Sequence, residues 1–228
     1  MGGDAVKPLL ITIDGPAGAG KTTVSRELAR QLSYTYVDTG ALYRGIAVAA
    51  RDAGVPPDDE PGVAALAGTV ALAFTKTASG PRLVLNGMDI TDEIRSPDIT
   101  MAASRISAQP AVRKSLMGLQ RRLGKEKGVV FEGRDMGTVV FPDADVKFYL
   151  DADLKIRATR RYRELRSKTP AQDLDAVEEQ MKIRDRNDSS RRIAPLRPAE
   201  DAVTIDSTDL TAAAVVRLMI SVIRQKFP

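Results

Sequence analysis

The chain is predicted to fold as an α/β protein, a three-layer α/β/α arrangement around a five-stranded parallel sheet with a small β-containing insertion. Three observations point there. A short apolar, β-branched run near the start is followed by a Gly-rich turn and then by a helical pattern. Strand-like and helix-like segments alternate over most of the chain. That alternation breaks once, where hairpin signals crowd together.

Leu9–Ile13 reads as a buried parallel strand ending at Asp14-Gly15, and Lys21–Gln31 as a helix with Val24, Leu28 and Leu32 on one side. The first seven residues read as a frayed end. Tyr34–Asp38 is a second short strand. Ala41–Ala53 is a mostly apolar helix stopped by Gly54-Val55-Pro56-Pro57, the best linker candidate in the chain. Val70–Thr77, Pro81–Leu85 and Gly87–Ile90 are β-type runs joined by Ser79-Gly80 and Asn86-Gly87, both hairpin dipeptides. Alternation resumes with a helix over Pro110–Lys127 and strands at Val129–Glu132 and Val146–Asp151. Basic helices follow over Leu154–Arg166 and Ala171–Arg186, then a strand at Ala202–Asp206 and a helix from Thr211.

With 0 Cys and 0 His among 228 residues, disulfides, thiolate nucleophiles, the usual zinc sites and histidine acid–base catalysis are excluded. No side chain left has an ordinary pKa between 5 and 8. The apolar runs fall short of the roughly 20 residues that span a bilayer, which predicts a soluble protein inside the cell. Between Lys155 and Arg192 there are 12 Lys and Arg against 7 Asp and Glu, although the whole chain carries only +4. Of its 34 basic residues 23 are Arg, the planar donor suited to phosphate, so an anionic ligand is expected.

Gly15-Pro16-Ala17-Gly18-Ala19-Gly20-Lys21-Thr22 fits the phosphate-loop pattern G-x-x-x-x-G-K-[ST], with a strand before it and a helix after it. Glycines let backbone N–H groups turn inward around a polyphosphate, the helix N-terminus adds positive potential, Lys21 reaches the β and γ oxygens, and the Thr22 hydroxyl can ligate Mg²⁺. Gly133-Arg134-Asp135 leaves the strand at Val129–Glu132 and is expected at the same sheet edge. Asp38-Thr39-Gly40 with Tyr43-Arg44 leaves the strand at Tyr34. An ordinary loop ion pair would also account for Arg134 and Asp135, and a solvated helix position for Arg44. Arg157, Arg160 and Arg161 share one helical face, which favours a clamp over phosphates. A solvated face is the plainer alternative, and aromatics at 4% supply few stacking platforms for a nucleic acid.

These motifs, together with Met136-Gly-Thr-Val-Val-Phe-Pro-Asp143 after Asp135 and with Ala194-Pro-Leu, resemble the bacterial cytidylate kinases and more broadly the nucleoside monophosphate kinases. The resemblance runs from about Leu9 to the C-terminus. It implies a cytoplasmic, monomeric enzyme that uses ATP and Mg²⁺ to phosphorylate CMP and dCMP, without nucleic-acid or membrane partners. ATP would bind on Gly15–Thr23, with Arg157, Arg160 and Arg161 in a lid over about 157–168. Arg44, Arg134 and Arg191 would hold the acceptor phosphate. Ser104, Arg113 and Asp135 would read the cytosine, with Arg184 and Asp188 near the ribose, and Asp38 and Thr39 would line the acceptor side. The kinase core would span 1–62 and 106–228, and the insertion over 63–105 would bind the monophosphate. Two other readings stay open from the residues themselves: a shikimate- or gluconate-type kinase with Asp38 or Asp135 as base for a neutral hydroxyl, and a phosphate-loop ATPase or nucleic-acid switch. A guanine-reading Asn-Lys-x-Asp motif is absent from the sequence.

Overall fold

The computed structural model describes residues 8–77, 80–166 and 173–227. The expected frayed end, Ser79, the last two residues of the expected lid and the first two of the second basic helix lie outside the described residues. The chain divides into two compact units, one made of the residues up to Tyr36 and from Glu126 on, the other of Val37–Lys125. Among the described residues no helix is long and apolar enough to cross a membrane.

The first unit is built on a five-stranded parallel sheet. Strands β1 (Leu10–Asp14), β2 (Thr35–Asp38), β6 (Val129–Glu132), β7 (Val146–Asp151) and β8 (Val203–Asp206) lie in the order β2-β6-β1-β7-β8. Of these, β2 contributes its first two residues to this unit and its last two to the other. The central strand β1 is buried along its length because its Leu-Ile-Thr-Ile run meets neighbours on both edges, pairing parallel with β6 and β7. Helices α1 (Lys21–Leu32) and α8 (Ala212–Lys226) pack on each other and, with Ile11, Ile13, Val24, Leu28, Phe148, Val216 and Met219, form one apolar core. Burying each such side chain stabilises the unit by about 1.5–3 kcal/mol, and Phe148→Ala would cost about 3–5 kcal/mol. On the opposite face a turn of π-helix over Met136–Val140 lies so close that a Cβ on Gly137 would stand 3.0 Å from Thr12 Oγ1. Helices α6 (Leu154–Arg166) and α7 (Leu174–Ser190) pair around Ala158, Val177 and Met181.

The second unit holds α2 (Thr39–Asp52), α3 (Glu60–Thr69), the hairpin β3 (Leu72–Thr77) and β4 (Gly80–Leu85), the two-residue strand β5 (Met88–Asp89), α4 (Pro97–Ile106) and α5 (Pro110–Gly124). Leu42, Ile46, Val63, Leu83, Ile106 and Val112 are its centre. Asn86 and Gly87 have positive φ, +49° and +86°, as the tight β4–β5 turn requires. The hairpin region expected over 63–105 lies inside this wider unit, because α2, α3 and α5 share its core. The Pro56-Pro57 pair is a turn within the unit and not a linker: the Gln109 side chain donates to the Pro57 carbonyl at 2.7 Å.

Two helices were not anticipated. α4 starts on a readable signal, Ser96 accepting from the Ile99 N–H at 3.3 Å with Pro97 in the first turn. α3 starts on the same kind of signal, Asp59 accepting from the Gly62 N–H at 3.1 Å with Pro61 in the first turn, but its Gly- and Ala-rich sequence lacks a clear apolar stripe.

Candidate active site

The phosphate loop spans the gap between β1 and α1. At its first residue, Gly15, φ is +146°, and a side chain there would collide with the Leu150 carbonyl of β7. Gly20 caps α1 without a side-chain acceptor, leaving the first N–H groups of the helix for an anion. The ammonium of Lys21, 4% exposed, donates to the Pro16 carbonyl at 2.6 Å.

Register brings the second motif alongside. Ile13 of β1 pairs with Glu132 of β6, and Gly133 N–H donates to the Ile13 carbonyl at 3.1 Å, so the Gly15 loop and Gly133-Arg134-Asp135 leave neighbouring strand ends. Glu132 ties them together: its Oε1 accepts from the Thr22 hydroxyl at 2.8 Å and its Oε2 from the Tyr36 hydroxyl at 2.6 Å. Asp14, at the end of β1, accepts from the N–H groups of Met136 and Gly137 at 2.9 and 2.8 Å, fixing the turn that follows Asp135.

Three guanidinium groups converge on one carboxylate. Asp188 on α7, 5% exposed, faces Arg134 Nε at 3.3 Å, Arg191 Nη2 at 3.5 Å and Arg184 Nε at 4.0 Å. Such a gathering of planar guanidinium donors is the chemistry that suits an anionic ligand.

The three arginines expected in a lid, Arg157, Arg160 and Arg161 of α6, are not arranged alike. Arg157 is buried, its Nη1 on Asp185 Oδ2 at 2.6 Å and on the Ala17 carbonyl at 3.1 Å. Arg160 donates to the Ser207 carbonyl at 2.7 Å, and Arg161 pairs with Glu164 one turn along at 3.0 Å. Their shared helical face therefore reaches three different sets of partners.

Within the second unit, Asp38 caps α2 through the Ala41 N–H at 3.2 Å and pairs with Arg44 at 2.6 Å. Thr39 is 2% exposed. The Arg113 guanidinium lies 5.6 Å from the ring centre of Tyr43 and donates to the Ser107 carbonyl at 3.1 Å. Ser104 is half-buried near the end of α4, ahead of Gln109, which caps α5.

A family model described as cytidylate kinase matches residues 11–225. The chain belongs to the cytidylate kinase family. It is 47% identical over 220 residues to the cytidylate kinase of Syntrophotalea carbinolica, covering 96% of this chain and 94% of that protein. The Geobacter sulfurreducens cytidylate kinase is also 47% identical, over 218 residues, with the same coverage. A solved structure of an uncharacterized protein from Eubacterium ventriosum shares the fold, at 12% identity and a TM-score of 0.50 over 95% of this chain and 98% of that one. The family makes the protein an ATP-dependent phosphotransferase.

The kinase perturbs two titrating groups beside its loop. Burial, with Arg134 next in effect, lowers Lys21 to about 7 against the pull of Glu132. Burial raises Asp14 to about 6, opposed by its two backbone hydrogen bonds and aided by the charge of Asp135. Sequence reasoning missed Asp14, Tyr36, Glu132, Asp185 and Ser207. Asp14 and Glu132 could have been found, since each immediately precedes a motif glycine at a strand end.

Proposed function

We propose that this cytidylate kinase transfers the γ-phosphoryl group of ATP to CMP and dCMP by positioning and charge neutralisation, without a protein base. The observation that carries the reading is the register of β1 against β6, which sets a phosphate loop beside an arginine turn. In the first unit, Gly15–Thr23 takes the ATP polyphosphate, Lys21 its β and γ oxygens, and Arg134 and Arg191 the acceptor phosphate. Asp135 accepts from the cytosine amino group, and Arg184 and Asp188 face the ribose. In the second unit, Arg44 takes the acceptor phosphate, Ser104 and Arg113 the base, and Asp38 orients Arg44.

The acceptor oxygen is already anionic, so the chemistry asks for charge neutralisation more than for proton removal. Arginine supplies it in a chain without histidine. A neutral hydroxyl acceptor would need a free carboxylate as base, whereas Asp38 is engaged by Arg44 and the Ala41 N–H. Mg²⁺ fits the donors present: the Thr22 hydroxyl donates its hydrogen bond to Glu132, which leaves its oxygen lone pairs for a hard cation. Thr22 would hold the ion, which when bound screens the polyphosphate charge. We further read the enzyme as a cytoplasmic monomer, on the family resemblance.

The test is a coupled ADP-release assay with CMP, dCMP, UMP, AMP, GMP and shikimate as acceptors. Turnover strongest with CMP and dCMP is expected. Preference for shikimate, or ADP release independent of acceptor, would overturn the reading.

A further inference from the structure

Two carbonyl groups of the phosphate loop are gripped by buried donors outside it. Arg157 Nη1 donates to the Ala17 carbonyl at 3.1 Å, and the Ser207 hydroxyl donates to the Ala19 carbonyl at 3.1 Å. Neither donor is a loose surface group. Arg157 is 7% exposed, with its Nε on the Ala152 carbonyl at 2.8 Å and its Nη1 also on Asp185. Ser207 is 3% exposed, its N–H donates to the Asp151 carbonyl at 2.8 Å, and its hydroxyl oxygen accepts from Arg160 Nη1 at 3.1 Å.

A planar trans peptide points its C=O and the following N–H in opposite directions. With the Ala17 carbonyl turned to Arg157, the Gly18 N–H points away from α6. With the Ala19 carbonyl turned to Ser207, the Gly20 N–H points away from the end of β8. Such N–H groups are what a Gly-rich loop offers to phosphate. Loop and helices are in direct contact, since a Cβ on Gly18 would meet the Arg157 carbonyl oxygen and Met181 Cε, both at 2.9 Å.

We propose that Ser207 and Arg157 are positioning residues, which hold the Ala19 and Ala17 carbonyls outward and so aim the Gly20 and Gly18 N–H groups at the polyphosphate. The proposal rests on the reading of this loop as the ATP site. Donors aimed in advance spare the ligand the cost of ordering the loop. Asp185 on α7 holds Arg157 in place, so both basic helices contribute to the shape of the loop.

The experiment measures dissociation constants of ATP, ADP and inorganic tripolyphosphate by calorimetry for the wild type, Ser207→Ala, Ser207→Thr and Asp185→Asn. Ser207→Ala removes the hydrogen bond to the Ala19 carbonyl together with the one accepted from Arg160, and should weaken all three ligands by a common factor of about 10. KM for CMP should stay unchanged, and Ser207→Thr should restore the affinities. Weakened ATP with unaltered tripolyphosphate would mean that Ser207 serves the base and not the loop, and the proposal would fall; so would three unaltered constants. If Ser207→Ala does not fold, Asp185→Asn carries the test, with a common loss supporting the proposal and no loss overturning it. A wild type that binds tripolyphosphate but turns over no CMP would spare the loop mechanism and sink the kinase reading instead. A wild type that binds none of the three overturns both.

Discussion

The Thr22 hydroxyl donates to Glu132 Oε1 across 2.8 Å, joining the start of α1 to the end of the neighbouring strand β6. The same carboxylate accepts from Tyr36 at 2.6 Å, so one buried group, 8% exposed, serves two hydroxyls. Glu132→Gln keeps the shape but turns one acceptor into a donor facing a hydroxyl. Losing a charge-assisted hydrogen bond costs about 1.5–3 kcal/mol, so kcat should fall by about tenfold or more. The Mg²⁺ concentration giving half-maximal rate should rise, with KM for CMP little changed. A variant with wild-type Mg²⁺ dependence would show that Glu132 only braces Tyr36.

Asp14 makes a second prediction, about stability. Its carboxyl titrates at about 6 in the fold against 3.8 ordinarily. An acid with a raised folded pKa makes the native state bind more protons than the unfolded one between those values, so its contribution falls as pH rises through that window. The stability of the wild type minus that of Asp14→Asn, from urea unfolding, should therefore decline from pH 4 to pH 6 and then level off. A difference that rises with pH over that range would contradict the burial argument.

Much of this arrangement was legible in the sequence, for reasons that differ between residues. β1, the phosphate loop and α6 were readable because apolar run, glycine spacing and helical period are local properties; α6 begins where its pattern does. The convergence of Arg134, Arg184 and Arg191 on Asp188 could not be read, since Arg134 and Asp188 are 54 residues apart in the chain and meet only through packing. Arg157, Arg160 and Arg161 mark the limit most clearly. Their spacing put them on one helical face, but whether such a face meets solvent, ligand or backbone carbonyls depends on what packs against it. Ser207 had no sequence signal at all: a serine after a short strand is ordinary until the Ala19 carbonyl is found beside it.

Asp135 supplies a prediction on base choice. It is 2% exposed and sits directly before the turn that Asp14 fixes. A carboxylate accepts from the amino group of cytosine, and uracil offers no donor at that position. Asp135→Ala should lower kcat/KM for CMP by about tenfold or more while changing that for UMP less. Equal losses for the two acceptors would remove Asp135 from base recognition and leave it as a neighbour of the arginines.

The composition offers no group titrating between pH 5 and 8, yet burial brings Lys21 down to about 7 and Asp14 up to about 6. The profile of kcat/KM for ATP reports the free enzyme, so it should fall as pH rises above about 7, where Lys21 loses its proton before the polyphosphate arrives. With ATP bound, the ligand's negative charge holds Lys21 protonated, so kcat at saturating ATP should stay level to about pH 8.5. Lys21→Arg keeps its charge at every accessible pH and should abolish the alkaline limb, even if its rate is low. On the acidic side, the second proton of a phosphate monoester leaves near pH ~6, close to Asp14, so the limb in kcat/KM for CMP has two candidate owners. A thiophosphate acceptor, with its lowered pKa, should carry the limb downward with it. If the limb stays in place with the analogue and moves in Asp14→Asn, the titrating group belongs to the protein, and the dianionic-acceptor mechanism fails.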